Sequence, residues 1–309
     1  MHPAYSVIFF TTSSGVGYGL LALLGITGFN HGQASSMGFA LTTIIIALAL
    51  ITVGLLSSTF HLGRPERAWR AFSQWRSSWL SREGVAAVAT YPVALAFAAA
   101  WSGVIDLPQS IGILGLATAA MCAVTVFCTA KIYSTLKTIR AWNQPLTVPV
   151  YLAFALATGA TLMTALAFLF GRFQIFQGLL AIAAILVVAA LKYLYWRNLD
   201  SAPRTHTMDA ATGLGRIGSV SQWELPHTSE NYIQKEMGYA VARKHADKLR
   251  HLVLILLALA TLAMLAALAA PILCLLAAIL ALAASVFERW LFFAEAQHVV
   301  TLFYGAKAA

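Results

Sequence analysis

Long apolar blocks alternate with short polar segments along this chain, and their length decides the fold class. Each block runs for about 20 residues, which is what a helix needs to cross a ~30 Å hydrocarbon core. The blocks are continuous Ala/Leu/Ile runs, not the polar–apolar alternation of a barrel strand. Lipid offers no hydrogen bonds to free backbone groups, so runs of this kind cross as helices. Eight spans are predicted, at about 5–28, 38–60, 84–104, 110–131, 148–170, 174–195, 252–270 and 272–292. The last two form one apolar run from Leu252 to Val286, broken at Pro271. That run is too long for one crossing, so a tight hairpin is expected at the proline. The expected architecture is all-α and polytopic: one membrane domain over residues 1–309, with a long polar segment at 197–250.

Composition agrees. The chain is 60% hydrophobic and only 10% charged, against about 25% charged residues in an ordinary soluble domain. Met1-His2-Pro3-Ala4-Tyr5 has no basic n-region, and the apolar stretch after it is too long for a signal peptide, so it is kept as the first span. Cys122, Cys128 and Cys274 all lie inside apolar runs, where thiols act as small hydrophobes. Their spacing suggests neither a disulfide framework nor a zinc site.

The net charge of +9 is explained by its distribution, and no nucleic-acid partner is expected. Eight crossings put both termini and segments 61–83, 132–147 and 196–251 on one face. Eighteen of the twenty Lys and Arg residues fall in those segments or at the adjoining helix ends. Only Arg172 belongs to the opposite face, and Arg289 lies near the end of the last span. The positive-inside rule then makes the basic face, and both termini, cytoplasmic.

The densest polar stretch runs from His61 to Gly84 and joins spans two and three. Gly63 and Pro65 should end span two. Residues 66–75 read as a short interfacial helix with its arginines towards headgroups or a partner and Trp69 and Phe72 towards lipid. Ser81 is the expected N-cap of span three, with Glu83 in the first turn. An aromatic belt with positive-inside anchors accounts for most of the Arg and Trp here. It accounts less well for His61 and Glu83, since an ionisable group at a span end is a functional candidate when it faces a cavity. Histidine exchanges protons near neutral pH. Paired with a nearby carboxylate, it suits a site that hydrogen-bonds and protonates a quinone. Haem is the competing use of histidine, but none of the eight histidines sits in mid-span, and no haem is expected.

Three further segments hold candidate chemistry. Gly213-Leu-Gly215-Arg-Ile-Gly218 matches G-x-G-x-x-G, but the dinucleotide fingerprint needs a preceding strand and a βαβ unit, so the match reads as chance or turn chemistry. Residues 229–250 read as an amphipathic helix entering span seven, with Ile233, Met237, Ala240 and Val241 at helical spacing. This helix either lies on the lipid surface or docks a soluble partner. Glu288, near the end of span eight, is expected in a structural ion pair, with an arginine of the 61–83 loop or with neighbours of Arg289.

The eight-span plan, His61-Leu-Gly followed 22 residues later by Glu83, and Glu236-Met-Gly-Tyr-x-Val-Ala-Arg-Lys-His245 together resemble the dimethyl sulfoxide reductase anchor-subunit family, over essentially the whole chain. The resemblance implies a quinone-binding subunit (ubiquinone or menaquinone) of the bacterial inner membrane, without haem. It also implies two partners, an iron–sulfur subunit and a catalytic subunit with molybdenum bis-guanine-dinucleotide. Carried over by residue, the quinone site falls on His61 and Glu83. Arg64 replaces the small or neutral residue found after His-Leu-Gly in the reductase branch. Arg67, Arg70, Lys235, Arg243, Lys244 and His245 are expected to dock the partner. In the reductase branch the loop faces the periplasm. The arginine-rich version here looks more like anchors of cytoplasmic sulfite-oxidising complexes, in which electrons pass from sulfite to quinone. Two alternatives are a quinol-oxidising anchor of a dimethyl sulfoxide, thiosulfate or polysulfide reductase and, less well supported, a solute transporter. Transporter sites lie near the midplane, whereas the polar residues here collect at one face.

Overall fold

The structure, a computed structural model, describes residues 4–32, 34, 36–203, 206–224, 229, 231, 245–306 and 308–309, without the side chains of His31 and His61. Among the described residues it is helical, with no β-strand. The elements are α1 (Tyr5–His31), α2 (Met37–Ser57), α3 (Trp79–Trp101), α4 (Ile111–Ser134), α5 (Thr147–Leu169), α6 (Ile175–Ser201), the short α7 (Met208–Thr212), α8 (Ala246–Ala267) and α9 (Leu273–Ala294). All but α7 belong to stretches long and apolar enough to cross a membrane, eight in number.

Two helices make the centre. In α1, 78% of the apolar stretch is buried inside the protein, and in α5 67%, against 28–44% in the other six. α1 packs on α2, α4 and α5, while α3 lies on α4, α6 on α5 and α8, and α9 on α5 and α8. The outer faces carry residues such as Ile45, Ile113, Phe176 and Ile279, exposed as lipid-facing side chains should be. Contact at the centre depends on missing side chains. A Cβ on Gly19 would sit 1.8 Å from the Ala155 carbonyl oxygen, and one on Gly159 would sit 2.3 Å from the Gly19 carbonyl carbon. Gly25 and Gly115 approach each other in the same way, each blocking a Cβ at 2.3 Å. Small residues of this kind let helices associate where lipid gives no hydrophobic drive. Many buried hydroxyls are satisfied inside their own helix: Thr43, Thr118, Thr158 and Thr164 each donate to the carbonyl four residues back.

Several boundaries differ from expectation. α3 begins at Trp79, not at 84, and Ser81 is not its cap; Ser78 holds that position, without a side-chain hydrogen bond. Glu83 therefore lies beyond the first turn. An aromatic anchor does the work assigned to the cap. The Trp79 ring meets Phe127 edge-on at 5.9 Å, and the Arg82 guanidinium stacks over it at 4.3 Å while donating to the Trp75 and Arg76 carbonyls. The interfacial segment is a 3-10 helix over Pro65–Phe72. Trp69 is exposed as expected, but Phe72 also leans back on α3, 3.1 Å from where a Gly84 Cβ would lie. The hairpin at Pro271 forms, between α8 and α9. Gly213 takes a left-handed conformation at the end of α7, so the G-x-G-x-x-G stretch is turn chemistry, and no strand precedes it among the described residues. The amphipathic segment 229–250 lies largely outside the described residues, including Lys235, Arg243 and Lys244.

α6 runs on to Ser201, past the expected end at 195, so Lys192 is buried within the bundle and is not a helix-end anchor. Its Nζ lies 2.6 Å from Glu288 Oε1 on α9, and Arg289 Nη1 lies 3.5 Å from Glu288 Oε2. Glu288 thus pairs with Lys192 and Arg289, not with an arginine of the 61–83 loop. Both cations also face aromatic rings, Lys192 over Tyr195 at 3.8 Å and Arg289 over Tyr151 at 3.5 Å, a favourable contact when desolvated.

Two outcomes follow. Gly159→Val should separate α1 from α5 and cost at least about 1–3 kcal/mol, read as a lower melting temperature in detergent, whereas Gly15→Ala, which meets nothing within 4 Å, should leave melting unchanged. Glu288→Gln leaves two buried cations without their carboxylate and should cost about 3–5 kcal/mol. Lys192→Met should cost clearly less, because Arg289 remains to pair with Glu288. Equal losses in the two variants would contradict this charge balance.

Candidate functional site

Glu83 is the candidate site residue that the fold takes inside. It lies in the second turn of α3, buried to 4% exposure, and its Oε1 pairs with the Thr129 hydroxyl of α4. Thr129 Oγ1 also lies 3.1 Å from the Thr125 carbonyl oxygen. A hydroxyl has one proton to give. Thr129 can donate to Glu83 when the carboxylate is ionised, or turn to the Thr125 carbonyl and accept from Glu83 when the carboxyl is protonated. The pair therefore serves both protonation states, as a proton-exchanging group requires. Glu83 also lies within Coulombic range of the buried Tyr18 and Tyr151 and the half-buried Tyr133.

One space adjoins Thr129, and a second lies beside the first. A polar crevice between α1, α4, α5 and α9 is lined by Thr129, Tyr18, Tyr151, Ser285 and Arg289, among others. An apolar hollow lies between α1, α4 and α5, lined by Gly19, Ala22, Cys122, Leu152 and Leu156, with about 370 Å³ of atom-free space including its open side. Tyr18 borders both. Leu156 is exposed, so the hollow meets the lipid-facing surface of the bundle.

The other expected site residues are placed differently. His61 ends the 3-10 turn Ser58–His61 that follows α2, and its side chain lies outside the described structure. Arg64 precedes the 3-10 helix of the loop; it is exposed and makes no ion pair among the described residues. Arg67 and Arg70 are exposed on the same turn, Arg67 only 3.9 Å from Glu66; pairs this exposed contribute little. His245 is exposed at the start of α8. The structure thus joins Glu83 to Thr129 and does not join it to Arg64.

Sequence reasoning missed Thr129, Tyr18, Tyr151 and the role of Lys192. One signal was available for Lys192: it opens Lys192-Tyr-Leu-Tyr195-Trp196, an aromatic run that continues a helix. Around the ion cluster, Tyr133, Trp142, Tyr151, Phe292 and Phe293 pack ring on ring at 5.1–5.8 Å. Trp142 Nε1 donates to the Phe292 carbonyl at 2.8 Å and Tyr195 to the Ala141 carbonyl at 2.5 Å, which fastens the loop after α4 over the cluster. Beyond it, Arg250 donates to Glu295 and to Asp200, both at 2.7 Å. Burial pushes the Glu295 carboxyl above the usual range, against the opposing pull of Arg250. Burial likewise lowers His298, whose Nδ1 accepts from the Val300 amide at 3.0 Å.

Comparison with known proteins agrees with this architecture. The family model for the DMSO reductase anchor subunit (DmsC) matches residues 1–306. The chain is also similar to a sulfite dehydrogenase subunit from Allochromatium vinosum, at 33% identity over 334 residues covering 100% of both chains. With eight apolar helices and a family match over almost its full length, this multi-pass membrane protein belongs to the DMSO reductase anchor subunit family.

Proposed function

We propose that this chain is the quinone-reducing anchor of a sulfite dehydrogenase complex in the bacterial inner membrane. In a bundle that otherwise turns aliphatic and aromatic side chains to lipid, one observation carries the reading: the buried Glu83–Thr129 pair near the end of the bundle where the arginine-rich loop begins. The similarity to a sulfite dehydrogenase subunit supports the direction of electron flow.

On this reading a catalytic molybdenum subunit oxidises sulfite with water to sulfate, releasing two electrons and two protons. An iron–sulfur subunit docked on the basic, cytoplasmic face carries the electrons to the membrane. Exposed Arg67, Arg70 and His245, together with Lys235, Arg243 and Lys244, would form the docking surface. The quinone (ubiquinone or menaquinone) takes up two electrons and two protons to give quinol. His61 would bond one quinone oxygen, and Glu83 would supply a proton, renewing it through Thr129. The apolar hollow beside Tyr18 suits an isoprenoid chain coming from lipid. Of the three site residues, Arg64 is the one whose exposure argues for a contact outside the bundle. The family name favours a second reading, a quinol-oxidising reductase anchor. It uses the same residues with electrons running the other way.

The test is made on the complex copurified with this chain. His61→Ala should abolish sulfite-dependent quinone reduction, and Glu83→Gln should lower it by about 10²–10⁴-fold, while sulfite oxidation with an artificial acceptor persists in both. Unchanged quinone reduction in both variants would reject the site. Quinol-driven reduction of a sulfoxide by the complex, with no activity towards sulfite, would favour the second reading.

A further inference from the structure

The polar crevice is not needed to hold a quinone, and its narrowness excludes one. It contains about 330 Å³ of atom-free space, open side included, but that space is narrow and divided among the side chains that line it. Such a space has room for single waters. Its walls are nevertheless costly unless something polar occupies them. Thr12 Oγ1, Tyr18 OH, Tyr151 OH, and Arg289 Nε and Nη1 are buried without a well-formed hydrogen bond to protein, although Tyr18 lies beside Thr125, Tyr151 beside Arg289, and Arg289 Nη1 3.5 Å from Glu288. Each of these residues is at most 5% exposed. Buried polar groups facing one narrow space are where ordered water resides.

The crevice also has two chemically distinct ends. At one, Thr129 reaches Glu83. At the other, Arg289 joins Glu288 and Lys192. Lys192 lies within Coulombic range of Glu295, whose partner Arg250 bonds Asp200, a residue 59% exposed. Polar groups therefore run from the loop-bearing face to Glu83, along the sides of α9, α5 and α1. We propose that water in this crevice carries protons from the Glu295–Lys192–Glu288 end to Thr129 and Glu83. The inference rests on quinone being reduced beside Glu83. In each transfer Glu83 gives its proton to a quinone oxygen and becomes a carboxylate. Thr129 then passes it a proton and takes one from the adjoining water, and that water is reprotonated from the face through the acidic groups. Arg289 keeps its charge throughout and orients the water.

Gly15 provides the test. It lines the crevice, and a Cβ built there meets nothing within 4 Å, so the single methyl of Gly15→Ala should take up room in the crevice without displacing a helix. In the purified complex, this variant should oxidise sulfite normally with an artificial acceptor and reduce quinone about tenfold more slowly. The solvent deuterium isotope effect should rise, with the KM for quinone unchanged. Wild-type rate and isotope effect in Gly15→Ala would overturn the proposal. So would a slower rate that comes with a raised KM and an unaltered isotope effect, because the crevice would then be holding quinone. If Gly15→Ala does not assemble, Ser285→Val is read in the same way. Glu83→Gln, run in parallel, separates the two ideas. If it too leaves quinone reduction intact, the site reading fails; if it alone abolishes reduction, only the water path fails.

Discussion

The structure depends on how closely α1 can approach its neighbours. Backbone meets backbone at Gly19 with Ala155 and Gly159, and again at Gly25 with Gly115. In lipid there is little to gain from moving one aliphatic surface from hydrocarbon to protein, so close van der Waals contact has to hold the helices together. Because α1 touches α4 and α5 in this way, hydroxyls from these three helices converge on one crevice, joined by Ser285 of α9. α3 then lies on α4, which brings Glu83 to Thr129. The candidate chemistry is thus a result of packing between residues that have no chemistry of their own.

A second constraint acts at the loop-bearing end. Lys192, Glu288 and Arg289 carry a net positive charge among buried groups, an arrangement that membranes tolerate only with close partners. The partners are one carboxylate and a shell of rings. Tyr151, Tyr195, Trp196 and Phe292 face the cations, and Trp142 and Tyr195 tie the shell to backbone carbonyls. The shell also joins distant parts of the chain on one face: the Val299 amide donates to the Thr138 carbonyl, and the Ala309 amide to that of His206.

Much of this could be read in advance, for definite reasons. Span number and order follow from length and composition, and the hairpin at Pro271 follows from a run too long to cross once. Boundaries were less legible. Span three was expected to begin where the charges stop, whereas Trp79 and Arg82 anchor each other and carry the helix past them. Lys192 was misplaced for the same reason: α6 continues beyond the point where polarity suggested an end. Glu83 was identifiable as an ionisable residue near a span end, but Thr129, 46 positions away, was not. No periodicity in either helix marks which of several threonines will meet a carboxylate.

Arg250 holds the last residues of α6, through Asp200, and the residue after α9, Glu295, in a single grip. The polar stretch between Ala202 and His245 therefore departs from and returns to one fastened point. Force on that stretch is met at its root, where α6, α8 and the end of α9 are already joined. One clasp thus separates two mechanical demands: the bundle keeps its buried groups in register, and a pull on the polar stretch is taken up at Arg250 before it reaches them.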